Sequence, residues 1–206
     1  KSEGAAERQR ADDLVQILTP IVKSFGTDKG FLAANLGVQI YGGHGYIHEH
    51  GMEQYVRDAR ITMLYEGTNG IQALDLIGRK MGAHYGRYLR AFFHPLQGFI
   101  EENADNEEMQ AFILGLAKAF GRLQQATGIL AQRGLRDPNE AGAAATDYLN
   151  LFGHVAVAFM WAKAAKLAFN KKDADPTGFY SGKLKTARFY YERVLPETSS
   201  LFAMIM

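Results

Sequence analysis

An all-α fold, a helical bundle in two packed units with no sheet, is what this sequence predicts, and three observations predict it. Apolar residues recur at three- and four-residue spacings through nearly the whole chain, the repeat of a helix with one buried face. Alternation of apolar and polar residues never persists, and the Asn69-Gly70 pair lies between helical patterns rather than between strands. Glycine-dense breaks are confined to the first part of the chain, after which longer helical patterns take over. The division falls between residues 82 and 95, and we place the two units at 1–82 and 83–206.

The elements follow in order. Leu14, Ile17, Leu18, Ile21, Val22 and Phe25 form the apolar stripe of a first helix. Gly26 is placed to end it, Thr27 to cap the next, and Asp28 to complement the dipole of a second helix running to Ile40. Gly42-Gly43-His44-Gly45 interrupts the pattern. A third helix is expected from Met52 to Met63, a break at Tyr65-Glu66-Gly67-Thr68-Asn69, and a further helix carrying Ile71, Leu74, Ile77 and Met81. Asp105 and Glu108 are spaced as a capping box before the face Phe112, Leu116, Phe120, Leu123 and Leu130. Asp137-Pro138 opens a helix expected to carry Leu151, Val155, Ala158, Ala162, Ala165 and Phe169. A loop over Asp173–Gly182 precedes a last helix ending near Pro196.

Composition narrows the function. The chain has 206 residues, 47% hydrophobic and 22% charged, the balance of a globular protein with a real core. A formal charge of +1 points to neither nucleic acid nor an anionic membrane as partner, and no apolar run reads as a membrane span. The absence of cysteine excludes disulfide scaffolds, thiolate metal sites and cysteine nucleophiles. With no leader pattern at its start, the chain is expected in the cytoplasm. It opens on Lys1 and enters a helical pattern almost at once, as a piece of something longer would.

Three segments could carry chemistry. The glycines of Gln39-Ile40-Tyr41-Gly42-Gly43-His44-Gly45-Tyr46 suit either a tight corner or backbone approach to a phosphate or ribose. His44, His48 and His50 lack the spacing and companions of a metal site, so none is assigned. In Leu64-Tyr65-Glu66-Gly67-Thr68-Asn69-Gly70, Glu66 is either a partly desolvated general base or a loop carboxylate beside a helix capped by Thr68 or Asn69. Arg57, Asp58 and Arg60 read as a solvated face or an interhelical pair.

Taken together, Gln39-x-x-Gly42-Gly43-x-Gly45-Tyr46, then Arg57-Asp58-Ala59-Arg60-Ile61, then Tyr65-Glu66-Gly67-Thr68-Asn69-x-Ile71-Gln72 resembles the C-terminal helical domain of the acyl-CoA dehydrogenases. The rest is similar, by length and position, to the extra helical domain of the larger acyl-CoA dehydrogenase-like flavoproteins. This resemblance implies that Glu66 removes the α-proton of an acyl-CoA thioester while the β-hydrogen leaves as hydride to FAD, giving a trans-2-enoyl-CoA. It also implies that the Glu66 backbone N–H helps hold the thioester oxygen. Gln39, Gly42 and Gly43 would contact the adenosine and pyrophosphate part of FAD across a subunit interface, Thr68 and Asn69 would lie against the FAD, and Tyr65 and Gly67 would line the substrate site. An electron-transferring flavoprotein as acceptor and a homo-oligomer follow in the same way. Because the family also uses an N-terminal helical and a middle β-domain, the chain is expected to be a C-terminal fragment, inactive alone. Two other readings stand beside this one: a helical interaction module, and a diverged flavoprotein with another substrate.

Overall fold

The computed structural model describes residues 2–206 of the chain. All regular structure among them is helical: α1 (Ser2–Tyr41), α2 (Gly43–Tyr46), α3 (Met52–Thr62), α4 (Asn69–Asp75), α5 (Ala83–Glu102), α6 (Gln110–Arg136), α7 (Pro138–Ala143), α8 (Ala145–Lys171), α9 (Phe179–Phe189) and α10 (Glu197–Ile205). The all-α expectation holds.

Helix α1 is one rod where two helices were expected. Thr27 does not cap a new helix; its hydroxyl donates back to the Lys23 carbonyl at 2.7 Å, inside the continuing helix. Gly26 is exposed, and its cost of about 1 kcal/mol within a helix is outweighed by Ile17, Ile21 and Phe25, which are buried on the turns before it. Val22 of the expected stripe faces solvent instead.

The centre of the bundle is α8. It is apolar on every side because its neighbours cover it: Tyr148, Leu151, Phe152, Val155, Ala158 and Ala162 are all fully buried. Contrary to expectation, the stretch Ala145–Ala174 is long and apolar enough to cross a membrane by composition alone, and burial in the bundle accounts for that apolarity. Around it, Phe92 packs on Phe152 at 5.1 Å between ring centroids, and Phe93 meets Phe120 edge-on at the same distance. Tyr191 donates to the Ala158 carbonyl at 2.8 Å, while Tyr148 and Thr127 share a hydrogen bond of 2.7 Å.

Elsewhere the boundaries differ from the sequence reading for local reasons. Asn106, not Asp105, caps the turn before α6, accepting from the Met109 N–H. Asp137 does cap α7, accepting from the Asn139 N–H at 2.9 Å, but that helix stops after six residues and α8 starts afresh at Ala145. The expected loop ends early, since α9 already begins at Phe179. Pro196 opens a helix instead of closing one, and the extra α10 buries Leu201 and Ile205. Two wide turns, Leu76–Lys80 after α4 and Tyr190–Val194 after α9, interrupt α-geometry with five-residue hydrogen bonds.

At Gly82 the chain reverses through His84, Tyr85 and Gly86, all left-handed. The hydrophobic core runs on across this turn: Ile17, Ile21, Leu76, Ile77 and Met81 pack in one cluster with Leu89, Phe92 and α8.

Candidate functional site

Between Phe25 and Ala73 the only buried residue is Gly45. This stretch is an antiparallel arm: the far half of α1 runs out from the bundle, α2 turns it, and α3 returns. Gly37 meets Met52 near the tip, and the Arg60 guanidinium lies over the Phe31 ring at 5.9 Å nearer the base. Every residue singled out by the sequence lies on this arm.

At the tip, Gly42 takes φ 60° and ψ −142°, a conformation open to glycine almost alone. No atom lies within 4 Å of where a Cβ would sit on Gly42 or Gly43, so the backbone is open to close approach. Gln39 is exposed beside them, and its side chain makes no hydrogen bond among the described residues. Gly45 is different in kind: a Cβ there would lie 2.4 Å from the Val38 carbonyl, so it serves the turn itself.

At the base of the arm is the loop from Leu64 to Thr68. Its entry is held by α3, with the Leu64 and Tyr65 N–H groups donating to the Ile61 carbonyl at 3.0 and 3.2 Å. Its exit is held by Asn69. Between these anchors Glu66 sits at φ 55° and Gly67 at φ 86°. A left-handed glutamate carries strain of about 1–3 kcal/mol, tolerated only where the surroundings impose it. Gln72 supports the turn by donating to the Glu66 carbonyl at 3.3 Å. The Glu66 carboxylate and its own backbone N–H find no partner among the described residues.

The residues alone left Glu66 either partly desolvated or a loop carboxylate, and within this chain it is exposed. What surrounds it is an exposed apolar collar of Ile61, Leu64, Tyr65 and Ile71, each about half accessible. Such a collar is an interface waiting to be covered, and covering it would exclude water from Glu66.

Asn69 is bound within the chain. Its side-chain NH2 group donates to Asp28 Oδ1 at 2.7 Å, Thr27 Oγ1 at 3.0 Å and the Ser24 carbonyl at 3.3 Å. Its oxygen accepts from Lys23 Nζ at 2.9 Å. These bonds hold the Asn69 side chain on α1. Thr68, by contrast, is exposed and makes no cap bond. The sequence reading gave Thr27 and Asp28 helix-end roles and linked none of the four α1 partners to Asn69, since each lies 41 to 46 residues away.

The structure therefore gathers the expected site residues into two groups. Tyr65, Glu66, Gly67, Thr68 and Asn69 stand at the base of the arm, with Gln39, Gly42 and Gly43 at its tip. The groups are roughly 20 Å apart along α1, at about 1.5 Å per residue. Arg57 and Arg60 form no ion pair; Asp58 instead accepts from Gln54 at 2.7 Å. His48 pairs with Glu53 at 3.0 Å, and no group of three or more potential metal ligands comes together among the described residues.

The scaffold is thus helical, with an exposed carboxylate on a clamped, strained loop. Comparison with known proteins gives the scaffold a family. Residues 2–82 match the family described as acyl-CoA dehydrogenase, C-terminal domain, and residues 79–206 match the family described as acetyl-CoA dehydrogenase C-terminal like. A 3-methylmercaptopropionyl-CoA dehydrogenase of Ruegeria pomeroyi is 35% identical over 94% of this chain and 33% of its own length. A broad-specificity linear acyl-CoA dehydrogenase of Mycobacterium tuberculosis is 31% identical over 89% of the chain and 32% of its own. A butyryl-CoA dehydrogenase of Syntrophomonas wolfei is 29% identical over 93% and 32%. The chain belongs to the acyl-CoA dehydrogenase family, and it spans about a third of the length of these curated relatives.

Proposed function

We propose that this chain supplies the base-bearing loop and a cofactor-contacting arm of an FAD-dependent acyl-CoA dehydrogenase that forms a trans-2-enoyl-CoA. The observation that carries this reading is Glu66, strained at φ 55° with its carboxylate and N–H both unengaged. In this role the carboxylate takes the α-proton of the acyl-CoA thioester, and the adjacent N–H donates to the thioester oxygen. Both groups come from one residue, so the backbone that sets one sets the other. Tyr65 and Gly67 flank the substrate, and the collar of Ile61, Leu64 and Ile71 seals the base from water once covered.

The residues present fit a bound FAD: the open backbone at Gly42 and Gly43 admits a phosphate-bearing group, with Gln39 beside it and Thr68 free near the base. When bound, the flavin supplies the acceptor for the β-hydride. The separation of tip and base fits a tip that serves the cofactor of a second copy, so the working enzyme is a homo-oligomer. An electron-transferring flavoprotein is the proposed acceptor. Residues 1–82 and 83–206 are taken as the two units, with the second as a cradle for α1 and α4.

Replacing Glu66 by Gln in the enzyme carrying this chain should lower kcat by about 10²–10⁴-fold, the usual weight of a general base. Stopped-flow reduction of the flavin by butyryl-CoA checks this. A loss under tenfold would remove Glu66 from the role.

A further inference from the structure

The clamp on Asn69 is more specific than a loop anchor needs to be. The side-chain amide lies between opposite charges, with the Lys23 ammonium on its oxygen at 2.9 Å and the Asp28 carboxylate on its amino group at 2.7 Å. Flipping the amide would set its NH2 against an ammonium and its oxygen against a carboxylate, so only one orientation is satisfied. The bond to Asp28 is charge-assisted and stronger than a neutral one. The Thr27 hydroxyl oxygen accepts from the same amino group at 3.0 Å. Asn69 is three residues past Glu66, and only Gly67 and Thr68 separate them. Gly67 is itself left-handed and would relax the turn if its exit were released. Neither Glu66 side-chain contacts nor burial explain why its backbone stays strained; the fixed exit at Asn69 and the Gln72 bond to the Glu66 carbonyl do.

We propose that Asp28 is a positioning residue for Glu66, acting through Asn69; this rests on the reading of Glu66 as the base. Asp28 holds the exit of the loop so that the Glu66 carboxylate and N–H keep their relative placement, and a displacement on the order of 1 Å at such a group can cost about 10²-fold in rate.

The test compares D28A, D28N, N69A and E66Q in the enzyme carrying this chain, with butyryl-CoA as substrate. It also uses amide hydrogen exchange of the backbone N–H at position 69 in this chain alone, which needs neither flavin nor substrate. D28A and N69A should each lower kcat about 10- to 100-fold with KM nearly unchanged, and should speed exchange of the backbone N–H at position 69, which donates to the Met63 carbonyl at 3.3 Å, at least tenfold. D28N keeps an oxygen facing Asn69 and should recover most of both. If D28A or N69A is too unstable to purify, the other single variant and D28N decide. Unchanged kcat in D28A or N69A overturns the proposal, as does a D28N variant as impaired as D28A. Full activity in E66Q instead overturns the reading of the base; loop exchange then still reports whether Asp28 fixes the turn.

Discussion

His154 is fully buried, yet three elements bring four polar or aromatic groups around it. Its Nδ1 lies 3.2 Å from the Tyr190 hydroxyl, and its Nε2 lies 3.1 Å from Glu197 Oε2 without the alignment of a hydrogen bond. Lys29 stands 3.5 Å from the same glutamate oxygen, and the edge of Phe25 meets the imidazole at 4.9 Å. Burial pushes the His154 pKa from 6.5 down to about 4, against the pull of Glu197 and with the help of Lys29. The imidazole is therefore neutral in the folded chain at neutral pH. Below pH 6.5 the unfolded state takes up a proton that the folded state refuses until about pH 4. Stability should therefore fall with pH across that window, at a limiting slope of about 1.4 kcal/mol per unit. Urea unfolding at pH 7 and pH 4.5 checks this: H154Q should lose the part of the pH dependence that belongs to this group. In the sequence His154 was one of several scattered histidines. Burial alone distinguishes it, and burial depends on residues 36 and 43 positions further on.

At the scale of elements, the packing of α1 on α8 turns on one glycine. A Cβ on Gly153 would lie 2.4 Å from Phe25 Cδ2 and 2.5 Å from Cγ, so the ring could not stay where it is. G153A should cost about 1–3 kcal/mol as overpacking and lower Tm by several degrees. Adding F25L to G153A should return part of the loss, which differential scanning calorimetry can measure. A glycine packed under Phe25 here and an open glycine at Gly42 look alike as letters; only their neighbours tell them apart. The same holds for Gly26. Its residue type argued for a helix end, but packing of Ile17, Ile21 and Phe25 on the bundle carried α1 through it. Pro196 was likewise read as a stop, though Leu201 and Ile205 beyond it have the four-residue spacing of a helix with somewhere to pack.

For the molecule as a whole, the contrast is between a well-packed bundle and an arm with almost no core. Leu32, Leu36 and Ile40 form an exposed stripe at four-residue spacing along α1, and Ile40 is 82% accessible. Apolar residues in that pattern are ordinarily covered, and the covering proposed here is a second copy of the enzyme. L36E with I40E should disrupt the oligomer seen by sedimentation while leaving the thermal unfolding of this chain nearly unchanged, because neither side chain is buried within it. Dissociation with unchanged Tm supports an assembly role for the arm; an intact oligomer removes it.

What the sequence by itself determined is the helical character of the chain, the breaks at Gly42–Gly45 and Tyr65–Thr68, and the family. These depend on neighbours a few positions apart: the three- and four-residue apolar repeat, and short motifs whose order along the chain is directly visible. Tertiary structure alone decided that α1 would not break, that α8 would be the apolar centre, and that Asn69 would face inward to α1 instead of outward. Each of those outcomes is set by groups dozens of residues away, and Lys23, Ser24, Thr27 and Asp28 have no local pattern that points to Asn69. A helix can be written in adjacent letters because its hydrogen bonds close within one turn; the clamp on Asn69 exists only once two distant segments have packed side by side.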